Sequence, residues 1–195
     1  MSATLAPFGL RAAYHPSGII RPKAYKVVDA TQAAYGTAMY TGTPVVLNTN
    51  GSINAAAAGA DWLGVFAGCE YIDATGKPTV SPYLPATPTG ITNVTIFVLD
   101  DPAIVYEVQC GSSVANTAIG DQLTTFDATY TVSSGNSTTG VSTAAFSGTL
   151  AGAGAQGMAR IIDKGRQLDN DWGDSYTIVQ VQNARHQYVA LKVAI

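Results

Sequence analysis

Asp100 and Asp101 are adjacent carboxylates between two β-rich runs, in the stretch TIFVLDDPAIVYEVQ from Thr95 to Gln109. A carboxylate pair can serve as general acid and base only when both groups converge on one substrate. Neighbouring residues of a strand point to opposite faces, so this spacing does not bring the two groups together. Asp followed by Pro102 suits a turn, because Asp caps local backbone donors and proline fixes φ for the bend. The spacing therefore predicts the corner of a hairpin.

Two histidines and two cysteines are the next candidates for chemistry. His15 and His186 lie far in sequence from either cysteine, and no G-x-S-x-G or comparable nucleophile signature is present. Cys69 and Cys110 have no partner at metal-ligand spacing, so they are interpreted as buried free thiols, with a disulfide between adjacent strands as the alternative. We therefore expect that the protein is not an enzyme and has no catalytic residues.

An acidic loop and a glycine-rich run could hold a cation or a phosphate. The sequence DNDWGD places Asp169, Asp171 and Asp174 close together, as in part of a calcium loop. The EF-hand pattern fails, because Gly173 stands at its fifth place and no Glu stands at its twelfth. The run GTLAGAGAQG lacks the lysine and the following helix of a phosphate loop. The sequence predicts no metal site and no cofactor.

The composition points to association with other protein chains. The 195 residues carry 10 Lys+Arg and 13 Asp+Glu, and the charged fraction is 12%, against a usual value of about 25%. With 47% hydrophobic residues, part of the surface is expected to be covered by protein. The net charge of -3 argues against a nucleic-acid partner. No apolar run approaches the ~18–20 residues of a membrane span, and no signal peptide is recognised.

The elements that position these residues are predicted to be strands behind an extended arm. Residues 1–25 form the predicted arm, because three prolines and two glycines interrupt them and no periodicity is sustained. All charged residues of the arm are basic, namely Arg11, Arg21 and Lys23. Residues 26–195 form a β-rich body, because short β-rich runs alternate with turn residues as in an antiparallel β-sandwich or barrel-like fold. The fold class is mainly β.

Two stretches of the body have distinctive signals. Asn50-Gly51 predicts a hairpin within TPVVLNTNGSI. Residues 133–157 are rich in Ser, Thr, Gly and Ala and are predicted to form an ordered but flexible surface excursion that contains one ragged hairpin. The run SYTIVQVQ near the C-terminus alternates imperfectly, as in a half-buried strand.

The order of several segments carries a resemblance. The segments are APFGLRAAYHPSG (Ala6–Gly18), LGVFAGCEYID (Leu63–Asp73), SPYLPA (Ser81–Ala86), VLDDPAIVYEVQ (Val98–Gln109) and DNDWGDSYTIVQVQNARHQY (Asp169–Tyr188). In that order they resemble a family of tailed-bacteriophage capsid decoration proteins, also called cement or head-stabilising proteins. The resemblance implies a β-rich virion protein that is made in the host cytoplasm. It would bind the outer surface of the icosahedral capsid and cement neighbouring subunits of the major capsid protein. It also implies a homo-oligomer, with a trimer favoured and a dimer possible.

The arm supplies the predicted partner contacts. These residues are Phe8, Leu10, Arg11, Tyr14, His15 and Arg21. Apolar and aromatic side chains of an extended segment can fill pockets on a neighbour, while arginine pairs with carboxylates. The alternative is that the arm lies along its own sheet and covers an edge strand.

Two other functions fit parts of the sequence. A fibre-like or host-glycan-binding accessory would use the excursion and the aromatic residues Trp62, Tyr83 and Trp172. A small carbohydrate-binding module or hydrolase would use Glu70 and Glu107, for which the sequence shows no pairing.

Overall fold

The computed structural model describes residues 3–26, 38–86, 90–131 and 134–189. Within these ranges the secondary structure is almost entirely β, as predicted, and the one helix is a 3-10 turn at Asn116–Ala118. The strands are β1 (Arg11–Tyr14), β2 (Lys23–Lys26), β3 (Met39–Tyr40), β4 (Pro44–Leu47), β5 (Ile53–Ala55), β6 (Gly64–Ile72), β7 (Pro78–Ser81), β8 (Tyr83–Leu84), β9 (Thr92–Leu99), β10 (Val105–Gln109), β11 (Gln122–Leu123), β12 (Gly135–Asn136), β13 (Val141–Ser142), β14 (Ala159–Lys164) and β15 (Ile178–Asn183). In the described ranges, no helix has the length and apolar character that a membrane crossing requires.

Two large antiparallel sheets carry the fold. The first has the strand order β1-β10-β15-β14-β11, and the second has the order β2-β9-β6-β4-β5, with β7 also paired to β6. Two small sheets, β12-β13 and β3-β8, complete the described part of the chain. The predicted hairpin at Asn50-Gly51 is confirmed, because β4 and β5 pair across it and Gly51 has a φ of 80°.

Each large sheet has its own hydrophobic cluster. Tyr106, Val108 and Phe146 belong to the first cluster, together with the inward side chains of β14 and β15. The inward side chains of β6 and β9 form most of the second cluster. Trp62, which is fully buried next to β6, packs into the first cluster and so joins the two halves.

The predicted hairpin between β9 and β10 is wrong, because these consecutive strands do not pair with each other. β9 lies in the second sheet and β10 in the first, so residues 100–104 are a corner that links the two sheets. A hairpin turn and an intersheet corner use the same turn residues, so the local signal could not separate them. Each strand instead meets the N-terminal segment, which crosses between the sheets beside the corner.

The Ser/Thr/Gly-rich excursion is only partly on the surface. One short hairpin, β12-β13, is present as predicted. Ala144, Ala145 and Phe146 are buried, and the Phe146 ring stacks on Phe126 with centroids 4.6 Å apart. The prediction of a surface excursion is therefore wrong at residues 144–146, because a few apolar residues among small ones suffice to complete a hydrophobic cluster that other strands supply.

Other sequence predictions have mixed outcomes. Cys69 and Cys110 are buried free thiols, as predicted. The imperfect alternation predicts a half-buried β15, but five of its six residues are buried. Its outer face is covered because Glu107, on the neighbouring strand, and the loop after β14 pack over it. The strand predicted in KVVDA extends into residues 27–30, which lie outside the described ranges.

Candidate interaction surface

The N-terminal segment, residues 3–26, is extended as predicted, but it is built into both large sheets. β1 is an edge strand of the first sheet and pairs with β10, with Arg11 opposite Glu107. β2 is an edge strand of the second sheet and pairs with β9. Further upstream, the Gln109 side chain accepts a hydrogen bond from the Ala6 N–H at 2.8 Å and donates one to the Thr4 carbonyl at 2.9 Å. The arrangement observed is the alternative in which the arm covers edge strands of its own body.

Leu10 is a predicted contact residue, but its side chain is buried in the structure. Its side chain is 2% exposed and belongs to the first hydrophobic cluster. Its backbone N–H donates to the Gly42 carbonyl at 2.9 Å. Gly9 makes this close approach possible, because its φ is 72° and a Cβ there would lie 2.8 Å from the Ser142 Cβ. The prediction that Leu10 fills a pocket on a partner is therefore wrong in this fold.

Asp100 links the corner at residues 100–104 to the N-terminal segment and to the C-terminal region. Its carboxylate accepts a hydrogen bond from the Tyr25 hydroxyl at 2.6 Å and lies 3.5 Å from Lys23 Nζ. Its carbonyl lies 2.9 Å from His186 Nε2, and His186 Nδ1 accepts the Tyr188 N–H, so Nε2 carries the proton and donates. Burial, and then the bond to Asp100, raise the pKa of Tyr25 far above its usual range.

Asp101 has a different set of partners. One carboxylate oxygen accepts the Ala103 N–H at 2.8 Å, and the other lies 3.3 Å from His15 Nε2. His15 Nδ1 accepts the Ser17 N–H at 3.1 Å. The two carboxylates thus have separate partners, and both lie beside groups of the N-terminal segment.

A cavity of about 570 Å³ lies between the segment and the corner. We call it the corner cavity; its lining includes His15, Arg21, Lys23, Asp100 and Asp101. Its two aspartates are engaged with the groups described above. Ile19, which also lines it, is 63% exposed.

A second concave surface lies on the outer face of the first sheet. We call it the arginine concavity; it encloses about 560 Å³ and is lined by Arg11, Ala12, Ala13, Tyr14, Glu107, Arg166 and Gln180. Arg11 Nη2 donates to Glu107 Oε2 at 2.6 Å, and the Arg11 side chain remains 60% exposed. Glu107 Oε2 also accepts from Gln167 Nε2 at 3.2 Å, and its side chain is only 12% exposed. The single carboxylate of this surface is therefore already neutralised.

A β-bulge shapes this surface. The pairing of β1 with β10 shifts register between Ala12 and Tyr14, so that Tyr14 lies opposite Val105 while Arg11 lies opposite Glu107. Without the extra residue, alternation would turn Tyr14 to the other face of the sheet. The bulge therefore places Tyr14, which is 43% exposed, on the same face as Arg11.

The predicted contact residues divide by exposure. Arg11, Tyr14 and Arg21 are exposed, and Phe8 and His15 are half-buried. The Arg11 guanidinium lies over the Phe8 ring, 5.0 Å from its centroid. Sequence reasoning missed Arg166, because it follows β14 far along the chain and no local pattern relates it to the arm.

The acidic loop at residues 169–174 is internally bonded. Lys164 Nζ donates to Asp171 Oδ1 at 2.7 Å, and Asp174 accepts the Asp171 N–H at 2.7 Å. The contact with Lys164, and then the bond from the Trp172 N–H, hold the pKa of Asp171 below its usual range. In the part of the chain that the structure describes, no three His, Cys, Asp or Glu side chains are grouped to hold a metal ion.

The aromatic residues of the glycan-binding alternative are only partly available. Trp62 is fully buried, and its Nε1 donates to the Met158 carbonyl at 3.0 Å. Trp172 is half-buried against the first cluster, and Tyr83 stacks on Tyr40. Glu70 and Glu107, the acids of the hydrolase alternative, lie in different sheets.

The chain was compared with family models, with curated proteins and with solved structures, and none of them matched.

Proposed function

We propose that this chain is a structural protein of a tailed-phage virion, bound to the outside of the icosahedral capsid, where it cements neighbouring subunits of the major capsid protein. The observation that supports this most is the N-terminal segment. It is fixed by β1 and β2 to both sheets and presents Arg11, Tyr14, Ile19 and Arg21 to the outside. The resemblance of the ordered sequence segments to capsid decoration proteins supplies the class of partner.

A fixed contact segment suits a protein that must grip a shell. Ordering a flexible arm on binding costs conformational free energy, which subtracts from affinity. Here the hydrogen bonds of two strands, and the burial of Leu10, order the segment before any partner arrives. The outward side chains are therefore preorganised for contact.

The charge distribution favours an acidic protein surface as the partner of this segment. Residues 3–26 contain Arg11, Arg21, Lys23 and Lys26 and no acidic residue, although the whole chain carries a net charge of -3. Opposite charges across an interface speed association and select the orientation of the partners. We expect the basic segment to face the shell.

Cementing needs many modest contacts and no chemistry. An interface of about 800 Å² per partner is ordinary for a stable complex. When one molecule, or one trimer of copies, contacts several shell subunits, each bound contact raises the effective concentration of the next. Avidity then resists the outward pressure of packaged DNA.

The test is binding to shells that lack the protein. We expect the purified chain to cosediment with expanded heads at a fixed, saturable copy number and not with unexpanded heads. Occupied heads should then survive heating that ruptures bare heads. Absence of saturable binding to expanded heads, or binding by the isolated protein to host-cell glycans instead, would contradict the proposal.

A further inference from the structure

The arginine concavity carries a guanidinium group that is not bonded to any residue the structure describes. Arg166 lines it and is exposed, and no hydrogen bond or ion pair joins its side chain to another described residue. Arg11, by contrast, donates to Glu107. Two guanidinium groups thus border one surface on which a single carboxylate is already bonded.

The carboxylate of Glu107 is not free to compete for an incoming cation. Glu107 accepts from Arg11 at 2.6 Å and from Gln167 at 3.2 Å, and Gln180 Nε2 lies 3.5 Å from its other oxygen. With its side chain 12% exposed, it forms the floor of the concavity rather than its rim. The charged groups left for a ligand are guanidinium donors, which bind carboxylates through paired hydrogen bonds.

The shape of the surface suits a short acidic side chain. Ala12 and Ala13 are the smallest residues of the lining and add little bulk to it, and the exposed ring of Tyr14, next in sequence, offers apolar contact. An aspartate or glutamate combines a carboxylate for the arginines with an aliphatic stem for the ring. The volume of about 560 Å³ accommodates such a side chain with part of its backbone.

We propose that the arginine concavity receives an aspartate or glutamate side chain of the capsid shell protein, with Arg166 and Arg11 binding its carboxylate. This inference rests on the proposed function and goes beyond it, because it assigns a face of the molecule, a residue outside the N-terminal segment and the chemistry of the contact.

Two variants test the site with a matched control. Arg166→Gln removes the unused guanidinium, and Ala13→Tyr fills the concavity without changing charge. Lys77→Gln makes the same change in net charge in the turn between β6 and β7 of the second sheet, where no ion pair joins Lys77 to another described residue. Arg11 is not replaced, because its loss would leave the buried carboxylate of Glu107 without its ion-pair partner.

Affinity for expanded heads is measured for each folded variant, with folding checked by circular dichroism. We expect Arg166→Gln and Ala13→Tyr each to weaken binding about fivefold to tenfold, and Lys77→Gln to change it less than about twofold. Equal losses for Arg166→Gln and Lys77→Gln would mean that only long-range charge matters, and would overturn the inference while leaving the proposed function in place.

A second measurement does not depend on heads. Glutarate is titrated into the labelled protein while the Nε–Hε resonance of Arg166 is followed by NMR. We expect saturable shifts with millimolar affinity in the wild type, and an affinity about fivefold to tenfold weaker at the Arg11 resonance of the Arg166→Gln variant. Absence of saturation, or saturation with inorganic phosphate and not with glutarate, would overturn the inference even if the heads are bound.

Discussion

At the scale of single residues, the carboxylates and histidines that first suggested chemistry serve the corner. Asp100 contacts the second strand of the N-terminal segment through Tyr25 and Lys23, and its carbonyl meets His186. Asp101 reaches His15 at the opposite end of the crossing. Side chains from two distant parts of the sequence, the N-terminal segment and the region of His186, thus meet at one turn.

Replacing Tyr25 with phenylalanine should weaken this corner. The variant loses the 2.6 Å bond and leaves the poorly exposed Asp100 carboxylate without its closest donor. Loss of a hydrogen bond to a charged group costs about 1.5–3 kcal/mol in the free energy of unfolding. Urea unfolding checks the value, with Tyr14→Phe as the control, because that hydroxyl is bonded to no described residue. Equal stability of the two variants would contradict a structural role for the bond.

The buried thiols predict a stability that declines in alkali. Burial raises the pKa of Cys110 to about 12, whereas a cysteine in the unfolded chain has a pKa of about 8.5. The folded state therefore retains a proton that the unfolded state loses. The contribution is fully present below the unfolded pKa and is lost as pH rises towards the folded pKa.

The measurement is the free energy of unfolding between pH 8 and pH 10.5 for the wild type and for Cys110→Ala. At the upper end of this range we expect the wild-type value to fall more steeply, by about 1.4 kcal/mol per pH unit. Comparing the two slopes, rather than the two free energies of unfolding, removes the pH-independent loss of stability that the cavity in Cys110→Ala causes. Parallel slopes would show that the thiol ionises equally in both states.

At the scale of elements, the N-terminal segment belongs to the body. Leu10 fills the first cluster, while Ile19, nine residues further on, is 63% exposed. Leu10→Ala should therefore lower the free energy of unfolding by about 2–5 kcal/mol, and Ile19→Ala by less than about 0.5 kcal/mol. Chemical denaturation of both variants checks this pair. If Leu10→Ala is as stable as Ile19→Ala, the segment is not fixed in the cluster as described.

The sequence predicts the strands better than it predicts their partners. Alternation and turn residues are local, and they correctly indicate the mainly β fold, the Asn50-Gly51 hairpin and the extended N-terminal segment. Pairing joins distant residues, such as Arg11 with Glu107, and no local signal encodes it. The corner at residues 100–104 shows the consequence, because its turn chemistry is the same whether the next strand folds back or enters another sheet.

The candidate surface was predictable to a similar extent. The basic, proline-interrupted composition indicated the N-terminal segment, and Arg11, Tyr14 and Arg21 are exposed on it. The burial of Leu10 depends on Gly42 and Ser142, which are remote in sequence. Arg166 joins Arg11 only because β14, β15 and β10 lie side by side in the sheet.

At the scale of the whole molecule, two clusters could mean two independently stable halves, but the contacts between them argue for one. The indole N–H of Trp62 donates to the Met158 carbonyl at 3.0 Å, and the Trp62 carbonyl accepts from Asn183 at 2.9 Å. Nearby, Arg185 and Asp61 form an ion pair at 2.6 Å. Two separate crossings, at the corner and in the N-terminal segment, also connect the sheets.

We therefore expect the described body to unfold in one cooperative transition. Opening either half alone would expose Trp62 and leave its buried polar partners without hydrogen bonds, which costs several kcal/mol. Tryptophan fluorescence reports mainly the first cluster, where Trp62 and Trp172 lie, and far-ultraviolet circular dichroism reports both sheets. The two probes should give coincident urea transitions, with equal calorimetric and van't Hoff enthalpies. Separated midpoints would mean that the halves are stable on their own, and the shell contact proposed for the first sheet would then not be rigidly connected to the second.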